Sequence, residues 1–90
     1  MKKPKKTWYV YMVSCSDTSL YTGITTNITR RIDEHNSNKN GAKYTRARQP
    51  VSLVYFEKAE NRSLASKRER ELKNLTCEQK HALIQDQLRQ

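Results

Sequence analysis

The sequence predicts a small α+β domain, a three-stranded antiparallel sheet flanked by helices in the order ββαβαα. Three observations carry this expectation. Two short β-branched and aromatic runs near the N-terminus are separated by four polar residues, a third such run lies near the middle, and apolar residues recur at helical spacing in the remaining stretches. A length of 90 residues leaves room for one domain of this kind.

Taken in order, Thr7 to Cys15 is mostly β-branched or aromatic, Ser16 to Ser19 is turn material, and Leu20 to Thr25 suits a second strand, so residues 7–25 read as a hairpin. Strand alternation places Trp8, Val10 and Met12 on one face and Tyr9, Tyr11 and Val13 on the other. In the second strand Tyr21 and Gly23 alternate with Leu20, Thr22 and Ile24. Thr26 or Asn27 can cap a helix whose apolar positions are Ile28 and Ile32, and that helix fades into the polar stretch from Asn36 to Gly41. The segment containing KYTRARQP reads as a loop, and Val51 to Phe56 as the third strand. Asn61 or Ser63 can cap a helix carrying Leu64, Ala65, Leu72 and Leu75. Thr76 with Gln79 forms a capping-box signature for a last helix containing Ala82, Leu83, Ile84 and Leu88. There is no repeat, low-complexity segment or interior linker. The expected division is a basic flexible tail over residues 1–6 and a single domain over 7–90.

Composition narrows the function. Eighteen Lys and Arg against nine Asp and Glu give a net charge of +9, with only 34% hydrophobic residues. A domain this small buries about 60–65% of the surface its unfolded chain exposes, which leaves no room for an enclosed large cofactor. No apolar run approaches the roughly 20 residues that span a bilayer. The basic N-terminus lacks a small-residue cleavage site, so the expectation is a soluble, cytoplasmic protein with Cys15 and Cys77 as free thiols. Four of the positive charges belong to Lys2, Lys3, Lys5 and Lys6. A basic tail on a mildly basic domain points to a polyanionic partner, nucleic acid first.

The chemistry-bearing residues emerge from helical phase. Ile28, Arg31, Ile32 and His35 stand at i, i+3, i+4 and i+7, so Arg31 and His35 share the apolar stripe while Arg30 points away. Arginines in such places often only snorkel past the core. Ala65, Glu69 and Leu72 likewise turn Glu69 inward and leave Glu71 in solvent. An inward carboxylate needs a cation, either a metal or a structural partner such as Arg31. A tyrosine pair on a hairpin, an Arg and His on a helix and one inward Glu are what phosphodiester cleavage with a single divalent ion requires. The carboxylate holds Mg²⁺ or Mn²⁺, Arg neutralises charge on the phosphorus, and a phenol or imidazole takes the proton of the attacking water. No second carboxylate stands at a usable position, which argues against a two-metal mechanism.

The triplet Tyr9-Val10-Tyr11, then Tyr21-Thr22-Gly23, then NITRRIDEH over 27–35, resembles the GIY-YIG nuclease superfamily. Residues 40–55 and 61–76 are similar, more narrowly, to small single-domain bacterial members that lack the added domains of repair or homing nucleases. The resemblance runs from Trp8 to Ile84 and implies the compact GIY-YIG endonuclease fold. It implies that Tyr11 and Tyr21 are the two motif tyrosines, either of which could be the general base, that Arg31 is the catalytic arginine, that His35 fills the second helical position, and that Glu69 is the ligand of one Mg²⁺ or Mn²⁺. Tyr9 stands where the family has Gly, Thr22 where it has Ile, and Ile24 where some members have Lys, which removes one phosphate contact. In the loop, Lys39, Lys43, Arg46 and Arg48 surround Tyr44, a pattern suited to phosphate contact plus base stacking; Tyr44 and Thr45 could instead fill the edge of the active site. The resemblance thus implies a monomeric, structure-directed or weakly specific endonuclease acting on DNA. The alternatives are a nucleic-acid-binding module of the same fold with little turnover, on DNA or RNA, and a protein-interaction domain in which an Arg31–Glu69 pair is structural.

Overall fold

The computed structural model describes residues 6–37 and 41–89. Its elements are β1 (Trp8–Ser14), β2 (Leu20–Thr25), α1 (Ile28–His35), α2 (Lys43–Arg46), β3 (Ser52–Ala59), α3 (Arg62–Lys73) and α4 (Cys77–Leu88). Apart from Lys6, the expected tail lies outside the described residues.

β1 is the central strand of an antiparallel sheet ordered β2-β1-β3, and four of its consecutive residues, Val10 to Val13, are buried because both its edges and both its faces are covered. The turn joining β1 to β2 is closed by Asp17, which accepts from the Ser19 amide at 3.0 Å and from its hydroxyl, while Thr18 takes the left-handed conformation at φ 67°. Register places Tyr11 opposite Gly23 on one side and opposite Phe56 on the other. Between Met12 and Val13 the β1–β3 pairing shifts, with Val54 as the extra residue.

Strand alternation then divides the interior in two. Val10, Met12 and Tyr55 meet Ala65 and Leu72 of α3 and Ile84 of α4, whereas Tyr11, Val13, Cys15 and Val51 pack with Tyr21 and with Ile32 of α1. Caps fix where the helices start: the Asn27 side chain accepts from the Arg30 amide at 3.0 Å, Asn61 from the Leu64 amide at 2.8 Å, and Thr76 with Gln79 closes a full capping box. Of the paired cap candidates, Asn27 and Asn61 are the ones used, since each stands three residues before the amide it caps.

Two boundaries differ from the sequence reading. β3 continues past Phe56 to Ala59 because β1 begins at Trp8 and offers it a partner there. The KYTR segment, read as loop, is the four-residue helix α2. So short a helix has no stability of its own, and tertiary packing makes it, with Thr45 fully buried against the rest of the domain.

Candidate active site

Tyr11 sits at the centre of β1 with 1% of its surface exposed, and its ring crosses the backbone of β2 at Gly23. A Cβ at position 23 would lie 2.5 Å from the phenolic oxygen, so only glycine lets the ring lie there. The Oη atom is 2.7 Å from His35 Nε2, His35 Nδ1 is 2.7 Å from Thr45 Oγ1, and the Thr45 hydroxyl donates to the Ala42 carbonyl at 3.1 Å. The proton positions follow by working inward from the carbonyl, which can only accept. Thr45 donates to it, so Nδ1–H donates to Thr45, and the bare Nε2 accepts the proton of Tyr11. The histidine is thus a neutral Nδ1–H tautomer in a chain that satisfies every member.

Burial is the main reason that the imidazole is lowered to about 4, with the Arg31 charge adding to it and Glu34 pulling weakly the other way. Burial likewise pushes the Tyr11 phenol up to about 12. A hydrogen bond and positive charge from Arg31 oppose that rise, while Tyr21 and Glu69 add to it. Both groups are therefore neutral near pH 7.

Arg31 lies in the stripe the helical phase selected, its side chain 25% exposed against 61% for Arg30. On α3, Glu69 is 24% exposed against 52% for Glu71. The structural Arg31–Glu69 pair considered from sequence is not among the ion pairs of the described residues. Among the described residues Arg31 pairs with Glu34 at 2.9 Å and Glu69 with Lys73 at 3.5 Å, each taking a neighbour three or four residues along its own helix. Glu69 is nonetheless near enough to act on Tyr11 through its charge.

Tyr21 completes the wall. Its ring meets His35 edge-on at 5.3 Å and stacks on Tyr44 at 5.8 Å and 24°. Arg48 lies 3.9 Å over the Tyr44 ring, donates to the Tyr44 carbonyl at 2.9 Å and pairs with Asp17 at 3.0 Å. Tyr44, Thr45 and Arg48 are thereby drawn to the edge of the site, and Arg48 is engaged by protein groups, whereas Lys43 and Arg46 face solvent. Lys39 lies outside the described residues.

Sequence reasoning did not single out Glu34, although its place three residues after Arg31 was a usable signal. It also gave no partner to Thr45, whose bond to His35 crosses a segment without periodicity, and it missed Gln49, which donates to the His35 carbonyl at 2.9 Å and the Ser37 carbonyl at 2.8 Å and so ties down the end of α1. Among the described residues no three His, Cys, Asp or Glu side chains converge as a metal cage. The donor set at Glu69, one partly exposed carboxylate, nevertheless fits a hard cation that keeps most of its waters and takes its remaining ligand from a phosphate. No helix is long and apolar enough to cross a membrane among the described residues.

Residues 7–81 match the GIY-YIG catalytic domain. The chain is 58% identical over 77 residues to UPF0213 protein DP2720 of Desulfotalea psychrophila, covering 86% of this chain and 70% of that one. It is 55% identical over 78 residues to UPF0213 protein HQ_3675A of Haloquadratum walsbyi, covering 87% and 86%. Its fold is similar to two solution NMR structures, both 42% identical in sequence. The EF2693 protein of E. faecalis superposes with a TM-score of 0.60 over 97% of this chain and 93% of that one. The UPF0213 protein BH0048 of Bacillus halodurans does so with a TM-score of 0.56 over 88% and 83%.

Proposed function

The chain belongs to the GIY-YIG family, a family of nucleases, and from that premise we propose that it is a metal-dependent endonuclease that hydrolyses phosphodiester bonds in DNA with weak sequence specificity. One observation carries the reading: the buried chain Tyr11–His35–Thr45, beside Arg31 and within electrostatic reach of Glu69, forms a proton-accepting device next to a cation and a carboxylate.

In this reading Tyr11 with His35, rather than Tyr21, is the base. The attacking water gives its proton to Tyr11 Oη as the phenolic proton passes to His35 Nε2. The water oxygen bonds to phosphorus, the bond to the leaving oxygen breaks, and that oxygen takes a proton from solvent. The resulting imidazolium donates from Nδ1 to Thr45 and from Nε2 back to Tyr11. Arg31 would hold the non-bridging phosphate oxygens, and an anion there offsets the Arg31 charge that disfavours the imidazolium. Tyr21 and Tyr44 would wall the site against bulk water. Mg²⁺ or Mn²⁺, which nucleases of this family use, would be held by Glu69 and would supply charge stabilisation at the phosphate and the leaving oxygen.

The test is to incubate the full chain with branched, nicked and single-stranded DNA in Mn²⁺. The expected result is strand cleavage in wild type and a loss of about a hundredfold or more in Glu69→Ala and in Arg31→Ala. Equal product from wild type and Glu69→Ala overturns the reading. A second reading, a nucleic-acid-binding module with little turnover, is favoured by the seal over the relay, since Tyr11 is 1% and His35 0% exposed. It predicts metal-independent binding that weakens steeply with salt, and no product.

A further inference from the structure

On the face of the sheet that carries Tyr11, α1 and α2 cover β1 and β2, but the β3 side is left open. Phe56 is opposite Tyr11, Lys58 is opposite Tyr9, and Leu53 is opposite Val13, so these β3 side chains share that face. Phe56 is 40% and Leu53 38% exposed, and together with Tyr9 and the first turn of α1 they line a groove of about 420 Å³. That is within the size range of small-ligand sites, about 300–1,000 Å³. An adjoining hollow of about 320 Å³ runs past Tyr9 to Arg30 and Lys6. Neither hollow has a carboxylate among its lining residues; Glu34 lies 4.0 Å from Arg30 at the rim, and Glu60 joins Lys6 and Lys58 around a neighbouring hollow.

We infer that this groove is a second contact surface for a single-stranded polynucleotide, in which Phe56 and Tyr9 stack a base and Lys58, Arg30 and Lys6 hold the flanking phosphates. The inference rests on nucleic acid as the partner proposed above, and does not depend on hydrolysis.

Four features favour this occupant. Tyr9 meets Phe56 edge-on, with centroids 6.4 Å apart at 65°, which props the Phe56 ring while leaving it exposed. The Phe56 backbone is held from outside the sheet by the Gln87 side chain, which accepts from its amide at 3.0 Å and donates to its carbonyl. That clamp fixes the Phe56 backbone and occupies two of the edge groups that a β-strand of another protein, or of a second copy, would use there. Three cations, Lys6, Arg30 and Lys58, stand at the rim against two acids, Glu34 and Glu60, which leaves it net positive, the sign that a string of phosphates requires. An exposed phenyl ring offers an acidic peptide little, but offers every base a stacking face. Tyr9 follows Tyr11 on one face at about 7 Å along the strand, and Arg30 adjoins Arg31, so a polynucleotide held at the active site can continue around the first turn of α1 into the groove.

The test uses the full chain in EDTA, so that cleavage does not interfere. Binding of a short fluorescein-labelled oligothymidylate is followed by anisotropy, and base stacking by the quenching of a 2-aminopurine placed in the same strand. Phe56→Ala is expected to weaken binding about tenfold and abolish the quenching, while Phe56→Trp keeps both. Lys58→Gln is expected to lower the salt slope of log K by about one unit and keep the quenching. Wild-type affinity in both Phe56→Ala and Lys58→Gln overturns the proposal. So does equal competition by an acidic polypeptide, which would assign the groove to a protein, or a concentration-dependent mass by light scattering that disappears in Phe56→Ala, which would assign it to a second copy. Wild-type cleavage by Glu69→Ala in Mn²⁺ would defeat the hydrolase reading and leave these binding measurements standing.

Discussion

Along β1, Val10 and Met12 point toward α3 and α4 while Tyr11 and Val13 point toward α1 and α2, so one strand supplies two interiors of different kind. The first is almost wholly apolar, with Ala65 and Leu72 fully buried against the sheet. The second holds Tyr11, His35 and Thr45 at 0–1% exposure, joined end to end by hydrogen bonds that terminate on a backbone carbonyl. An apolar interior can be assembled from any shapes that fill space, but a polar one survives burial only when each donor finds an acceptor. The dry side can therefore supply stability, while the polar side is constrained to one arrangement, which is the requirement of a site that moves protons.

The largest expected effect comes from breaking the dry side. Leu72→Ala should cost about 2–5 kcal/mol, read as a lower urea midpoint at unchanged slope, while the His35 ring signals of the folded fraction keep their positions. A change in those signals would mean that the two interiors are not independent.

The polar side should show itself in pH. His35 titrates near 6.5 when unfolded and is lowered to about 4 in the fold, so between those values the unfolded chain binds more protons. Its contribution, on the order of 3 kcal/mol, is fully present above about pH 6.5 and is lost as pH falls toward 4. Urea titrations across that window should show a slope in wild type that His35→Gln lacks. Parallel curves for the two proteins would show that the imidazole is not held neutral.

A smaller effect tests the closed chain itself. Thr45→Val leaves the Nδ1–H of His35 without its acceptor and should cost about 1–3 kcal/mol, whereas Thr45→Ser restores the bond. Nitrogen shifts of His35 should report the Nδ1–H tautomer in wild type and in the serine variant, and a mixture in the valine variant.

The smallest change has the opposite sign. The Thr22 hydroxyl is buried on the dry side, opposite Met12, with no hydrogen-bond partner among the described residues. Thr22→Val, which keeps the shape and removes the orphaned group, should raise stability by about 1 kcal/mol. A loss instead would mean that this interior, too, contains a satisfied polar contact.

Much of this was legible in the chain. Period-two alternation separated Val10 and Met12 from Tyr11 and Val13, helical phase turned Arg31 and Glu69 inward and Arg30 and Glu71 outward, and Thr76 with Gln79 marked the start of α4. What was not legible depends on contacts between distant segments. Nothing in KYTR announces a helix, and the alternative that Arg31 pairs with Glu69 gave way to pairing within each helix.

The sequence by itself determined the elements other than α2, their faces and most of the side chains that could carry chemistry, because periodicity and capping are local properties of a few consecutive residues. Only the tertiary structure decided that Thr45 and not another hydroxyl completes the chain from Tyr11, that Gly23 makes room for the phenol, and that Phe56 is left uncovered beside Lys58. Those outcomes depend on which strands become neighbours and in what register, and register is a property of the packed whole.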